Sequence, residues 1–267
     1  MLLLHVLASG SKGNAAIVED ASTGRGVLVD CGICKRDLFA RAAAAGFDLA
    51  RLDAILITHD HADHVKGLGV ATRGLAKARA AAVPPVYALG PVRAASAEIA
   101  KVEGACDVRD MRCGASFGIG PVGVHPFHTS HDAAASCGFR FEDADGDALG
   151  YVTDTGVLTD EVRDALREVR MLALESNHDE RMLREGPYPW ALKQRVASDR
   201  GHLSNAQAAD ALLSLLSPRL EQVVGMHLSE NNNLPSLAAR ALTGALAQAE
   251  HSARVACAAQ HLLVSVR

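Results

Sequence analysis

Short apolar runs separated by glycine- and aspartate-bearing turns occupy most of the chain, and amphipathic runs of helical period gather towards its end. Residues 2–8 are apolar and give way to the polar loop Ser9-Gly10-Ser11-Lys12-Gly13-Asn14, the pattern of a buried strand closing in a turn. Val27 to Asp30, Ile55 to Ile57, 83–89, 122–128, 137–142, 148–153, 171–175, Val223 to Met226 and Leu262 to Val264 read as further strands. Ile55-Leu56-Ile57 shows no alternation, as suits a strand covered on both faces. Lys35 to Ala45 predicts a helix with Gly46 at its end. Thr159 caps a helix presenting Val162, Leu166 and Val169. Ser204 caps another presenting Ala208, Leu212 and Leu215, with Pro218 beyond it, and Ser236 opens a third through Leu246. No repeat, linker or charge block divides the chain. One domain over 1–267 is expected, of α+β class, with two sheets and helices packed outside them.

Composition then narrows the classes. The chain is 49 % hydrophobic and 22 % charged, which fits a soluble globular protein and excludes disordered and fibrous ones. No apolar run reaches the roughly 18 residues of a membrane helix, so no membrane partner is expected. Met1 to Ala8 has no basic stretch or cleavage site and reads as a strand rather than a signal peptide, giving the cytoplasm as the expected location. Six cysteines without a secretory signal fit free thiols, and Cys31-x-x-Cys34 has no second pair at zinc-finger spacing. A net charge of −4 and an aromatic content of 4 % give no global reason to bind nucleic acid, so such a role needs a local site.

The histidines supply one. In Ile57-Thr58-His59-Asp60-His61-Ala62-Asp63-His64, a buried strand leads into three histidines and an aspartate within six residues. In extended backbone His59 and His61 point to one side, and a turn after them returns Asp63 and His64 to the same cavity. Imidazole and carboxylate in that density suit zinc, manganese or iron. Two metals need more ligands. His131 follows the 122–128 run, Asp154 ends Tyr151-Val152-Thr153, and His227 ends Val223 to Met226, each a candidate ligand at the end of an apolar run.

H-x-H-x-D-H, a later lone histidine, Thr153-Asp154-Thr155-Gly156 and a final strand-end histidine resemble the metallo-β-lactamase superfamily of hydrolases over essentially the whole chain. The resemblance implies a four-layer αβ/βα sandwich with a dinuclear site at one edge of the two sheets. It places one divalent ion on His59, His61 and His131 and a second on Asp63, His64 and His227, with Asp154 bridging. Ser9 to Asn14, Leu174-Glu175-Ser176-Asn177-His178-Asp179, Gly186 to Pro189, Gly201-His202-Leu203-Ser204-Asn205, and His227-Leu228-Ser229 before Asn231 to Asn233 are similar to the YycJ/WalJ branch. That branch implies a cytoplasmic DNA exonuclease of 5′-to-3′ polarity with a place in DNA repair. More distant ribonuclease Z enzymes share Glu175 and His202 in related form.

Phosphodiester hydrolysis needs a nucleophile, charge neutralisation and help for the leaving oxygen. Asp63 is placed to orient a metal-bridging water or take its proton, and His202, oriented by Glu175, to protonate the leaving alkoxide. The helix N-terminus at Ser204 and Asn205 offers amides to a phosphate. The loop from Ser11 to Asn14 either does the same or is a turn of small residues, and Lys193, Arg195, Arg200, Tyr188 and Trp190 are either backbone and base contacts or a solvated loop. His178 takes no assignment. Hydrolysis of a small thioester or lactone, processing of RNA, and a non-catalytic metal-binding regulator are the competing functions. Two bound divalent cations would cancel the formal −4 and concentrate positive charge in one cavity.

Overall fold

The computed structural model describes residues 1–78 and 82–267. Along the chain run β1 (Leu2–Ala8), β2 (Ala15–Asp20), β3 (Arg25–Val29), α1 (Lys35–Ala44), β4 (Leu52–Leu56), α2 (Ala62–Val65), α3 (Leu68–Ala78) and β5 (Val86–Leu89). There follow α4 (Gly90–Ala95), α5 (Ala97–Ala100), β6 (Val108–Met111), β7 (Phe117–Ile119), β8 (Val122–His128), β9 (Cys137–Glu142), β10 (Ala148–Val152), α6 (Asp160–Ala165) and β11 (Met171–Glu175). The last part holds α7 (Glu180–Glu185), α8 (Trp190–Val196), α9 (Asn205–Leu215), β12 (Gln222–Met226), α10 (Pro235–Gln248), β13 (Arg254–Cys257) and β14 (Val264–Val266). Among the described residues no helix is long and apolar enough to cross a membrane.

Two seven-stranded mixed sheets, ordered β14-β1-β2-β3-β4-β5-β6 and β13-β12-β11-β10-β9-β8-β7, form the middle of the molecule. Each is antiparallel on one side and parallel on the other: β3 through β6 run parallel, as do β10 through β13. One core unites the sheets, with Leu4, Ile17 and Leu28 of the first in a single cluster with Phe139, Phe141 and Tyr151 of the second. Leu38 and Leu75 extend it to α1 and α3. A second core packs Val152, Leu172 and Leu174 under Val162, Leu212, Leu242 and Leu246 of α6, α9 and α10. Helix, sheet, sheet and helix thus make the αβ/βα sandwich that the resemblance implied.

The expected caps at Thr159 and Ser204 are present, and Ser204 forms a reciprocal capping box with Gln207. Several boundaries differ. α6 stops at Ala165, so Val169 packs from the loop beyond it. α10 starts at Pro235, where proline's missing N–H costs nothing, rather than at Ser236. The last strand begins at Val264, not Leu262, and β5 begins at Val86, three residues later than expected.

Candidate metal centre

The parallel strands of both sheets end at one edge, and there the chain places its histidines and carboxylates. Asp30 follows β3, His59 lies just past β4, Asp154 lies two residues past β10, Glu175 closes β11 and His227 follows β12. Asp30, Asp154 and His227 take left-handed backbone at φ 60°, 56° and 54°. Such backbone is strained for these residues and turns each side chain back towards the common edge. Gly32 lets the loops converge, since a Cβ there would lie 1.6 Å from the Asp63 carbonyl oxygen and 2.8 Å from the Asn14 nitrogen.

Four histidines share one design. His59 Nδ1 donates to Thr58 Oγ1 at 3.0 Å, His64 Nδ1 to Asp30 Oδ2 at 2.7 Å, His131 Nδ1 to the Gly201 carbonyl at 3.1 Å, and His227 Nδ1 to Glu175 Oε1 at 2.9 Å. Each outward bond fixes the ring and leaves Nε2 facing inwards, as ligating imidazoles require. His61 is reversed: its Nδ1 lies 3.2 Å from His131 Nε2. Donor atoms of His59, His61 and His131 all lie within 4.8 Å of one another, as do those of Asp63, His64 and His227, and those of His59, His64 and Asp154. Asp154 joins the groups, with Oδ2 3.3 Å from His64 Nε2 and Oδ1 3.7 Å from His131 Nε2 and 3.4 Å from His227 Nδ1. All seven ligands that the resemblance implied are therefore brought together.

The donor chemistry fits divalent cations. His59 Nε2, His227 Nε2 and Asp154 Oδ2 are buried without a hydrogen-bond partner, although such atoms ordinarily have one. Burial, with the neighbouring His64 and His131, pushes the His59 imidazole well below its usual range, into the neutral form a metal needs. His64 and His227 go the other way. Burial pushes them down, but Asp154 and Asp30 bring His64 up to about 9, and Asp154, Asp63 and Glu175 hold His227 well above its usual range. Against burial, His227 and His64 hold the Asp63 carboxyl, and His202 and His227 the Glu175 carboxyl, well below the usual carboxylate range. The carboxylates thus set a field that calls for positive charge at the centre of the cluster.

A cavity of about 210 Å³ opens over it, lined by Ser11, His61, Asp63, Asp154, His202 and His227, with Tyr188, Leu192 and Arg195 across from them. His202 Nδ1 donates to Glu175 Oε1 at 2.8 Å, and Glu175 Oε2 accepts the backbone N–H groups of Thr155 at 2.9 Å and Leu203 at 3.3 Å. One buried carboxylate therefore orients both His202 and His227.

Three expected substrate contacts are placed otherwise. Asn14 is buried and braces the cluster, its Oδ1 taking the Gly10 N–H and its Nδ2 donating to Asp63 Oδ2 at 3.3 Å. Ser204 is buried, its hydroxyl taking the Gln207 N–H and donating to Glu180 Oε1. Asn205 accepts from the Ser176 hydroxyl and exchanges hydrogen bonds with Asn233. Of that set, Ser11 faces the cavity. Trp190 is 74 % exposed and does not line the cavity, Lys193 donates to the Arg184 carbonyl, and Arg200 donates to that of His131. His178 is buried near Glu175 and His202, with Nδ1 unpartnered and its pKa lowered by burial to about 4. All six cysteines are free, and burial, with Asp30's charge, pushes the Cys31 thiol up to about 12. Two residues escaped the sequence reading. Asp30 backs His64, and Asp132 ion-pairs with Arg195 while its Oδ1 lies 3.5 Å from His131 Nε2.

A four-layer sandwich with a His- and Asp-rich cluster at its shared strand edge defines a metal-dependent hydrolase. Comparison with known proteins agrees and goes further. Residues 25–228 match the family described as "Beta-lactamase superfamily domain". The chain is 35 % identical over 248 residues to "Exodeoxyribonuclease WalJ" of Streptococcus pneumoniae serotype 2, covering 92 % of this chain and 88 % of that one. It is 33 % identical over 237 residues to "Exodeoxyribonuclease YycJ" of Bacillus anthracis, covering 89 % and 86 %. The solved fold of YhfI from Bacillus subtilis, a metallo-β-lactamase fold protein, superimposes with a TM-score of 0.73 at 14 % identity over 99 % of both chains. The chain belongs to the β-lactamase superfamily, in the branch that holds the WalJ and YycJ proteins.

Proposed function

We propose that this chain is a metal-dependent phosphodiesterase that removes nucleotides from DNA ends, an exonuclease of 5′-to-3′ polarity acting as a single domain over 1–267. Similarity to the two exodeoxyribonucleases supports the substrate and the reaction. The observation that carries the chemistry is His202, held by Glu175 at the wall of the donor cavity. His59, His61 and His131 would hold one divalent ion and Asp63, His64 and His227 a second, with Asp154 between them. Zinc and manganese are the favoured metals and iron is chemically admissible. Bound there, the pair supplies Lewis acidity, which neutralises phosphate charge and makes an attacking water more acidic.

The chain's own residues do the rest. Asp63, ionised and partly open to the cavity, orients the attacking water. Since Nδ1 of His202 is spent on Glu175, Nε2 is its free nitrogen, and from there a proton passes to the departing sugar oxygen. Arg195 is the one arginine or lysine among the described residues lining the cavity, and it suits a terminal phosphate. Hydrolysis of a thioester or lactone is the weaker reading, because those leaving groups have little need of the Glu175–His202 pair. A DNA substrate places the chain with DNA ends, and we assign it to the cytoplasm and to DNA repair.

Digestion of 5′- and 3′-labelled DNA and RNA, with manganese or zinc added, tests this. Mononucleotides released first from the 5′ end of DNA are expected. Turnover of a thioester with no release from any polymer contradicts the proposal.

A further inference from the structure

The rim of the cavity continues into a strip of basic residues, most of them without an ion-pair partner. Ser11 lines the cavity, and the carbonyl of the next residue, Lys12, accepts from Lys66 Nζ at 2.8 Å. Lys66 directly follows α2, the short helix that carries Asp63 and His64. Backbone bonds seam that helix to residues 31–34: Cys31 N donates to the His64 carbonyl, and Gly67 N to that of Cys31, both at 2.8 Å. A Cβ on Gly67 would lie 1.9 Å from the Ile33 carbonyl oxygen, so the seam is closed tightly. Beyond it a groove of about 640 Å³ lies between α1 and α3, lined by Lys35, Arg36, Arg73 and Lys77 together with Cys34, Val70 and Gly74. Among the described residues no acidic side chain lines it.

Several arginines elsewhere on the surface are ion-paired: Arg25 with Asp53, Arg93 with Glu103, Arg109 with Asp107, Arg163 with Asp160 and Arg181 with Glu185. Along the strip, Arg36 pairs with Asp37 and Lys12 with Glu230. Among the described residues, Lys35, Lys66, Arg73 and Lys77 have no carboxylate in ion-pair contact, and all four are exposed. In a chain of net charge −4, four uncompensated cations on one path repel one another and favour a polyanion.

We propose that the α1–α3 groove is a track for the DNA backbone. The inference rests on the nuclease reading: the strand whose end lies in the cavity continues over Lys66 and along Lys35, Arg73 and Lys77. Lysine and arginine there contact phosphates as charges, so they add affinity and register without reading sequence.

The test combines Lys35→Gln, Arg73→Gln and Lys77→Gln in one variant, with Lys35→Arg, Arg73→Lys and Lys77→Arg as its charge-keeping control. Binding of a long DNA oligonucleotide across a salt series is the first readout. The slope of log affinity against log salt should fall by about 2–3 in the glutamine variant, from 0.7–0.9 per lost phosphate contact, and hold in the control. The second readout is hydrolysis: KM for long DNA should rise with kcat kept, while a small activated phosphodiester is turned over as by wild type. Unchanged slope and KM in a protein that degrades DNA overturn the track alone. An equal loss on the small diester overturns it too, because the damage then lies in the cavity. A wild-type protein that cleaves the small diester but neither binds nor degrades DNA overturns the nuclease reading, and the track with it.

Discussion

Replacing His202 by alanine separates the acid from the rest of the site. The ring lies against the cavity, and its loss leaves Glu175 with three partners: His227 Nδ1 and the Thr155 and Leu203 amides. The donor cluster therefore stays assembled, and cation content should match wild type. Proton transfer by a positioned side chain is worth about 10²–10⁴-fold. At about 1.4 kcal/mol per decade, the barrier on DNA should rise by roughly 3–5 kcal/mol. A sugar alkoxide leaves poorly without a proton, whereas a nitrophenolate leaves readily. The assay is kcat on DNA against kcat on a nitrophenyl phosphodiester for His202→Ala, with metal content measured alongside. The full loss should appear on DNA and little of it on the activated ester. Equal losses on both substrates would assign His202 to substrate positioning, and no loss on either would remove it from the mechanism.

Asp30 holds His64 Nδ1 at 2.7 Å and takes both the amide and the hydroxyl of Thr58. Asp30→Asn should weaken cation binding about 10–100-fold in chelator competition, and wild-type affinity would contradict the brace. Gly32→Ala drives a Cβ to within 1.6 Å of the Asp63 carbonyl oxygen, so it should lower Tm and metal content together; a normal metal content with a lowered Tm would uncouple the loop from the site. Asp20 is nearly buried, which pushes its carboxyl up, but the hydroxyls and amides of Ser22 and Thr23 hold it below the usual range. A depressed carboxyl stabilises the fold above its unfolded pKa of about 4, and that contribution fades as pH falls through the folded value. The Tm gap between wild type and Asp20→Asn should therefore be full at neutral pH and close below about pH 4; a gap that widens on acidification would reverse the sign.

Legibility followed chain proximity. The four proposed ligands of H-x-H-x-D-H are near neighbours in sequence, and a shared position at the ends of apolar runs drew in His131, Asp154 and His227. Asp30 was read only as the end of a strand, because nothing local distinguishes an aspartate beneath a histidine 34 residues away from one that closes a turn. Asn14, Ser204 and Asn205 look like phosphate ligands by residue type, yet burial turns their hydrogen bonds inwards to other side chains and caps. Ser204 announced α9 as its N-cap, and the structure adds Gln207 to complete a capping box. The helix α3 escaped notice since Gly69 and Gly74 interrupt its propensity, and Gly74 is there because Lys35 and Phe39 close over it. β2 escaped too, although its antiparallel pairing with β1 and β3 makes it a central strand.

The central claim is that His59, His61, Asp63, His64, His131, Asp154 and His227 hold two divalent ions that the hydrolysis of DNA requires. Titrating chelator-stripped protein with manganese, and following bound metal and release from 5′-labelled DNA in the same samples, tests it most directly. Two equivalents should bind, with activity absent at the start and complete only as the second is taken up. Full activity in the stripped protein, or saturation of activity with one equivalent bound, would contradict the account.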